Sequence, residues 1–273
     1  MGYRDIQAWI LRFLERTGRT AVRGVEEVGY CTVLVGESLF WLVYGPFLKQ
    51  PVRVAAVIGQ MMEIGIKAIP IIAILSAAIG AVLAMQGIIS LKPLGAESRV
   101  IFGIAKGVVR EFAPLITGIL IAGRSGSALA ARIGTMKINQ ELDALEVMGI
   151  RPERFLVAPA LIAMLAMVPM LTIFSGLTGV YAGGLYVGID LDISMNAYIA
   201  DILAVLNVGD VLHGFSKSIA FGVLIAVIGV MNGARVEGGA EGVGKATTRS
   251  VVQAISAIII TDMLFVLVSA LTR

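Results

Sequence analysis

Residues 68–91 read AIPIIAILSAAIGAVLAMQGIISL, a run of 24 residues without an ionisable side chain. About 20 apolar residues are enough for an α-helix to cross the hydrocarbon core of a bilayer. The whole chain shares this character, because 58% of its 273 residues are hydrophobic and only 15% are charged, against about 25% charged in soluble domains. This composition excludes a soluble globular enzyme and a disordered chain. It predicts an all-α integral membrane protein.

Four further apolar stretches follow the first one. We predict five transmembrane helices, near residues 68–90, 102–123, 155–187, 211–233 and 250–271. Before them, apolar residues recur at helical spacing between Ile6 and Leu14 among several arginines, which predicts an amphipathic helix lying in the membrane interface. The predicted organisation is therefore N-terminal amphipathic or interfacial helices over residues 1–63 and a five-span domain over residues 64–273.

The segment 28–48 allows two interpretations. It is apolar apart from Glu37 and is long enough to be a further span. If it crossed, basic segments would lie on both sides of the membrane, and Pro46 and Pro51 close it. We therefore favour an interfacial or re-entrant segment.

The distribution of lysine and arginine predicts the orientation of the spans. Most of these residues fall in segments on one side of the predicted membrane and few on the other. Because cytoplasmic segments carry the excess of Lys and Arg, we expect a cytoplasmic N-terminus and a C-terminus outside.

Several catalytic chemistries are excluded by composition. Cys31 and His213 are the sole residues of their types, which leaves no disulfide, no protein-only zinc site and no Cys-His or Ser-His pair. Residues 239–245 have the G-x-x-x-x-G-K spacing of a phosphate-binding loop, but Ala246 stands where that loop needs Ser or Thr. We interpret this segment as a flexible cytoplasmic turn, and we expect no cofactor in this chain.

A short amphipathic helix is predicted at 138–149, between the second and third spans. It has an apolar stripe with interleaved carboxylates, and Gly149 and Pro152 end it. Such a helix either docks into a groove of a partner protein or packs on its own spans, and the spacing does not decide between these. Its residues of interest are Glu141, Leu142, Asp143, Leu145, Glu146 and Met148.

Four charged residues within the predicted spans are of interest: Arg110, Glu111, Lys217 and Asp262. A charge at the bilayer centre costs about 2.5–3.5 kcal/mol on insertion scales, so such residues usually face a cavity or each other. They either neutralise one another and hold the spans together, or line a site for a lipid headgroup with Arg110 or Lys217 meeting phosphate. Apolar walls for acyl chains are expected on the first span, among them Leu83 beside the polar Gln86.

Three sequence blocks make the chain recognisable. They are EFAPLITG at 111–118 followed by AGRSGSA at 122–128, IGTMKINQELDALEVMGI at 133–150, and GGAEGVGKATTRSVV at 238–252. From about residue 50 to the end, the chain closely resembles the permease subunit of MCE-associated ABC transporters, the MlaE-type family.

The resemblance implies a function and a set of partners. Such permeases are homodimers that move phospholipids between the inner and outer membranes of Gram-negative bacteria and maintain outer-membrane asymmetry. The helix at 138–149 would be the coupling helix, which docks on a separate cytoplasmic ATPase dimer that binds ATP and Mg²⁺. A periplasmic MCE-domain hexamer with membrane anchors and a small STAS-domain protein would complete the assembly, with no nucleic acid. The location would be the inner membrane, with the C-terminus periplasmic.

Two other classes of function remain possible from the sequence. An ion-coupled secondary transporter would use Glu111 and Asp262 as proton sites, and a non-transporting anchor would merely assemble the MCE hexamer. Neither class needs a carboxylate-bearing docking helix, so the permease is the favoured prediction.

Overall fold

A computed structural model describes residues 29, 32–33, 36–37, 53–97 and 99–271. These residues form helices and short connections, and no strand occurs among them. The α-helices from residue 53 onward are α1 (Val54–Ile64), α2 (Ile69–Leu91), α3 (Arg99–Gly107), α4 (Ala113–Ile121), α5 (Ser127–Ile138), α6 (Glu141–Val147), α7 (Ala158–Leu191), α8 (Met195–Val205), α9 (Val208–Ala234) and α10 (Gly239–Leu271).

Four helical segments are long and apolar enough to cross a membrane: Val54–Leu94, Arg154–Leu191, Val208–Ala234 and Gly239–Leu271. They confirm the first, third, fourth and fifth predicted spans. The second predicted span, 102–123, is not among them. Only 12 uncharged residues separate Glu111 from Arg124 in this region. The count of five spans therefore stays a prediction.

The region of the second predicted span is nevertheless helical. The helices α3, α4 and α5 follow one another through two π-helical turns, which we call the first π-turn (Val108–Phe112) and the second π-turn (Ala122–Gly126). Pro114 stands at the start of α4 and lacks the N–H that a regular helix would use. A π-turn adds one residue per turn and so changes the direction of the side chains it carries.

The structure corrects two local predictions. The segment 239–245, predicted to be a flexible turn, forms the first turns of α10. Gly238, just before this helix, and Gly239, its first residue, have φ of +83° and +70°. The helix predicted at 138–149 is shorter, because α5 continues to Ile138 and Gln140 adopts a φ of 59° before α6 begins.

The predictions for the N-terminal region lie mostly outside the described residues. The amphipathic helix near Ile6–Leu14 is not described, and five residues of the segment 28–48 are described, all of them helical. The predicted boundary between residues 63 and 64 falls at the end of α1.

Helices α2 and α7 contact each other through small residues. Ser76, Gly80 and Ala84 are buried along one face of α2, and the Ser76 and Ser175 hydroxyls lie 2.6 Å apart. A Cβ atom added to Gly80 would lie 1.9 Å from the carbonyl oxygen of Gly179. Backbones therefore touch, as small residues permit in membrane helix pairs, and this contact fixes α2 against α7.

The largest buried cluster lies where α4, α7, α9 and α10 meet. Ile121, Met164, Phe221 and Ile258 are at most 1% exposed. This packing places the first π-turn, the middle of α9 and the last turns of α10 close to one another.

Replacing Gly80 with alanine should destabilise the protein, because its Cβ has no space at the α2–α7 contact. Overpacking of this kind costs about 1–3 kcal/mol, and thermal unfolding of the full chain in mild detergent would measure it. Gly103→Ala is the matched control, since nothing lies within 4 Å of a Cβ at Gly103 and alanine favours a helix over glycine. Equal unfolding temperatures for the two variants would contradict the backbone contact.

Candidate functional site

The ammonium group of Lys217 lies in the interior of the helix bundle. Its side chain is 0% exposed. It donates a hydrogen bond to the carboxylate of Glu111 and forms an ion pair with that of Asp262, at 2.9 Å. These three residues come from α9, the first π-turn and α10. A lone buried charge is strongly destabilising, so the two carboxylates are what permits a lysine here.

The backbone explains how Lys217 reaches Glu111. A Cβ added to Gly214 would lie 2.4 Å from the carbonyl oxygen of Val109, so α9 contacts the first π-turn directly at this glycine. Lys217 follows three residues later, on the same face of α9. The π-turn directs Glu111 toward it.

Arg110 belongs to a second group of charges. Its guanidinium donates to Asp210 at 2.9 Å and to the hydroxyl of Ser269 at 3.0 Å. Lys106, one turn earlier in α3, lies 3.7 Å from the same Asp210 carboxylate. Asp210 also accepts from the backbone N–H of Asn207 at 3.1 Å, in the capping box that starts α9.

The two groups together contain three cations and three carboxylates. The cations are Lys106, Arg110 and Lys217, and the carboxylates are Asp210, Glu111 and Asp262. The sequence identified four of these residues but neither Lys106 nor Asp210. Two signals pointed to them: Lys106 precedes Arg110 by one helical turn, and Asp210 follows Asn207 at capping-box spacing.

The charged residues of the two groups differ in their access to solvent. The Lys217 side chain is completely buried, whereas 15% of Arg110, 28% of Lys106 and 35% of Glu111 are exposed. These last three residues line a cavity of about 390 Å³ between α3, the first π-turn and α10, which we call the polar cavity. Phe102, Val266 and Ser269 complete much of its wall. A headgroup can therefore reach Arg110 and Lys106 but not Lys217.

A second cavity of about 390 Å³ lies on the other side of the first π-turn. We call it the apolar cavity, because its wall is almost entirely aliphatic and aromatic. It lies between Val109, α7, α8 and α9, and its wall includes Ile173, Leu177, Ile199, Leu203 and Phe215. The sequence did not predict this cavity, because its wall comes from helices distant in the chain.

Tyr198, in the first turn of α8, packs against α7. Its hydroxyl donates to the carbonyl oxygen of Val180 at 3.0 Å, and burial raises the pKa of Tyr198 to about 12. The phenol therefore stays neutral at physiological pH, and the apolar cavity gains no charge from it.

The two residues of the first span that were expected beside acyl chains lie away from both cavities. Leu83 is half-buried against the cluster around Tyr198, and Gln86 is exposed on α2. Neither lines the polar or the apolar cavity. The structure thus does not bring them together with Arg110, Glu111, Lys217 and Asp262.

The structure divides the residues predicted for the docking helix into two faces of α6. Leu142 and Leu145 are buried in a cluster with residues of α5, α7 and α9. Glu141, Asp143 and Glu146 are exposed, as are Val147 at 89% and Met148 at 64%. Asp143 pairs with Lys137 at 2.9 Å. The surface that α6 offers therefore consists of carboxylates and the apolar residues at its end.

Comparison with known proteins identifies the family. The MlaE permease family model matches residues 57–268. The intermembrane phospholipid transport system permease protein MlaE of Haemophilus influenzae is 32% identical over 248 residues, which cover 90% of this chain and 92% of that protein. A protein of Rickettsia prowazekii described as a probable ABC transporter permease is 32% identical over 257 residues, covering 93% and 96%. Another so described, from Synechocystis, is 37% identical over 204 residues, covering 74% and 77%.

The family-model match includes every block on which the resemblance was based. It extends from the first turn of α1 to the last turn of α10. The chain belongs to the MlaE permease family.

Proposed function

We propose that this chain is the permease of an ABC transporter that moves phospholipids between the inner and outer membranes, and that it thereby maintains outer-membrane asymmetry. The observation that carries this proposal is the polar cavity beside the apolar cavity, separated by the first π-turn. A phospholipid needs both environments, one for its charged headgroup and one for its acyl chains. The MlaE relative in Haemophilus is named for intermembrane phospholipid transport.

Within the polar cavity, Arg110 and Lys106 are the groups proposed to receive the headgroup phosphate. A guanidinium offers a planar fork of donors that matches phosphate oxygens. Arg110 is held by Asp210 and Ser269, so its position is set before a lipid arrives. Lys217, Glu111 and Asp262 are proposed to act as a structural pin between the first π-turn, α9 and α10.

The proposed energy source is a separate cytoplasmic ATPase dimer, which binds ATP and Mg²⁺. The exposed face of α6 is the proposed docking surface, since its buried face already anchors α6 to the spans. Movement of α6 would then pass to α5 and the second π-turn, which are continuous with the helical run that carries Arg110.

The remaining partners follow from the family resemblance. We propose a homodimer in the inner membrane, with the N-terminus cytoplasmic and the C-terminus periplasmic. A periplasmic MCE-domain hexamer would take lipid from or deliver lipid to the permease, and a small STAS-domain protein would bind through the ATPase. The rival function, a proton-coupled carrier using Glu111 and Asp262, has less support because both carboxylates pair with Lys217.

Reversing two exposed charges on α6 should uncouple the permease from its ATPase. The double variant Glu141→Lys and Glu146→Lys places positive charge in the proposed interface, and unfavourable charge contacts there should reduce permease-stimulated ATP hydrolysis about tenfold or more. The measurement is ATPase activity of the reconstituted complex. Asp201→Lys, an exposed carboxylate on α8, is the control and should leave stimulation unchanged. Full stimulation in the α6 variant would exclude docking at this face.

Substitutions of Lys217 and Arg110 should change different properties of the protein. Lys217→Met leaves two carboxylates without their cation, and breaking a buried pair costs about 3–5 kcal/mol, so thermal unfolding should occur at a clearly lower temperature. Arg110→Gln retains hydrogen-bonding capacity for Asp210 but loses the charge for phosphate.

The Arg110→Gln variant should therefore keep most of its stability and lose phospholipid that co-purifies in mild detergent. Lipid mass spectrometry and thermal unfolding on the same samples measure both effects. If Arg110→Gln retains its lipid and Lys217→Met loses lipid without loss of stability, the proposed roles are wrong.

A further inference from the structure

A third cavity, of about 280 Å³, lies toward the α6 end of the bundle. Its wall comes from α1, the second π-turn, α5 and α7, and we call it the Arg124 cavity. It shares no lining residue with the polar or the apolar cavity. Its volume far exceeds what a single water requires. The family assignment and the proposed transport route do not account for it.

Two arginines line the Arg124 cavity. The guanidinium of Arg124 donates to the carbonyl oxygen of Glu63 at 3.1 Å and so ties the second π-turn to the last turn of α1. A guanidinium carries five N–H donors, so Arg124 has donors beyond this bond. Arg132, two turns further along, is exposed and forms no ion pair within the described part of the chain. The cavity wall therefore carries two guanidinium groups that form no ion pair with a described carboxylate.

A buried hydroxyl points to a missing ligand. Ser125 is only 7% exposed and lines the same cavity, yet its Oγ has no hydrogen-bond partner among the described residues. Buried polar atoms without a partner are uncommon and destabilising. The Oγ is itself inaccessible, so an acceptor held between Arg124 and Arg132 would become its partner through rotation of the Ser125 side chain toward the cavity.

The cavity wall also contains a carboxylate. Glu63 lines it from α1, and its side chain forms no ion pair with any residue that the structure describes. A simple anion would gain nothing from this carboxylate, whereas a ligand carrying both a phosphate and an ammonium group would use both signs of charge. Met62 on α1 and Ile66, two residues after α1 ends, are 55% and 54% exposed, which provides apolar surface beside the charged wall.

We propose that the Arg124 cavity binds the phosphoethanolamine headgroup of a phospholipid from the leaflet on the α6 side. Arg124, Arg132 and the Ser125 hydroxyl contact the phosphate, and the Glu63 carboxylate accepts from the ammonium group. The acyl chains lie along the apolar surface of α1. This is a second lipid site, separate from the polar cavity at Arg110, and it stands whether or not the proposed transport function is correct.

The test is a titration of the full-length, delipidated chain with phosphatidylethanolamine, with bound lipids counted by native mass spectrometry. Arg132→Gln should weaken one class of binding about tenfold, through the loss of charge-assisted hydrogen bonds to phosphate. Arg132 is exposed, so this variant should fold, whereas Arg124 is avoided because it holds α1. Lys245→Gln removes the same charge from an exposed pair with Glu241 on α10 and should bind as the unmodified protein does.

A second variant tests the ammonium contact. The unmodified protein should prefer phosphatidylethanolamine over phosphatidylglycerol at this site, and Glu63→Gln should abolish that preference. Arg110→Gln should remove lipid from the polar cavity only, so that loss of lipid binding can be measured separately for each of the two sites.

Three results would overturn the proposal. The first is equal binding by the Arg132→Gln and Lys245→Gln variants. The second is an absence of headgroup preference in the unmodified protein. The third is displacement of the bound phosphatidylethanolamine by millimolar inorganic phosphate in the unmodified protein, which would identify a site for the free anion instead.

Discussion

The structure depends on the placement of one ammonium group, that of Lys217, inside a bundle of apolar helices. Water cannot solvate this charge, so Glu111 and Asp262 must both reach it. This requirement fixes the first π-turn, α9 and α10 relative to one another. Gly214 allows the necessary approach, because α9 can lie directly against the carbonyl of Val109. Because Glu111 pairs with Lys217, Arg110 pairs instead with Asp210 at the wall of the polar cavity.

The helical run from α3 to α5 is organised by its two π-turns. Each one carries an arginine, Arg110 in the first and Arg124 in the second, and α4 between them is apolar. The first turn separates the polar cavity from the apolar cavity, and the second lines the Arg124 cavity. The blocks at 111–118 and 122–128 that carry the family resemblance overlap these two turns. Part of the resemblance therefore lies where the regular helix is interrupted.

Much of the architecture could be predicted because membrane spans obey a simple rule of length and polarity. Four predicted spans agree with the structure on this basis. The region 102–123 was harder, since its charges shorten the apolar run and only pairing with other helices makes them tolerable. The stripe of Leu142, Leu145 and Met148 was correctly identified as apolar, but periodicity cannot say that two of these residues pack inward and the third is exposed.

The sequence by itself determined that the chain is a helical membrane protein, which family it belongs to, and four of the six residues in the ion-pair groups. These properties depend on composition, local runs and motifs, which are visible along a single chain. Only the tertiary structure decided that Lys217 is buried while Arg110 lines a cavity. It also decided that Asp210 and Lys106 join the ion-pair groups, which then contain equal numbers of cations and carboxylates. The reason is that burial and pairing of a charge depend on which distant helices pack against it. At the α2–α7 contact, that packing depends on small residues such as Gly80, which carry no chemical signal of their own.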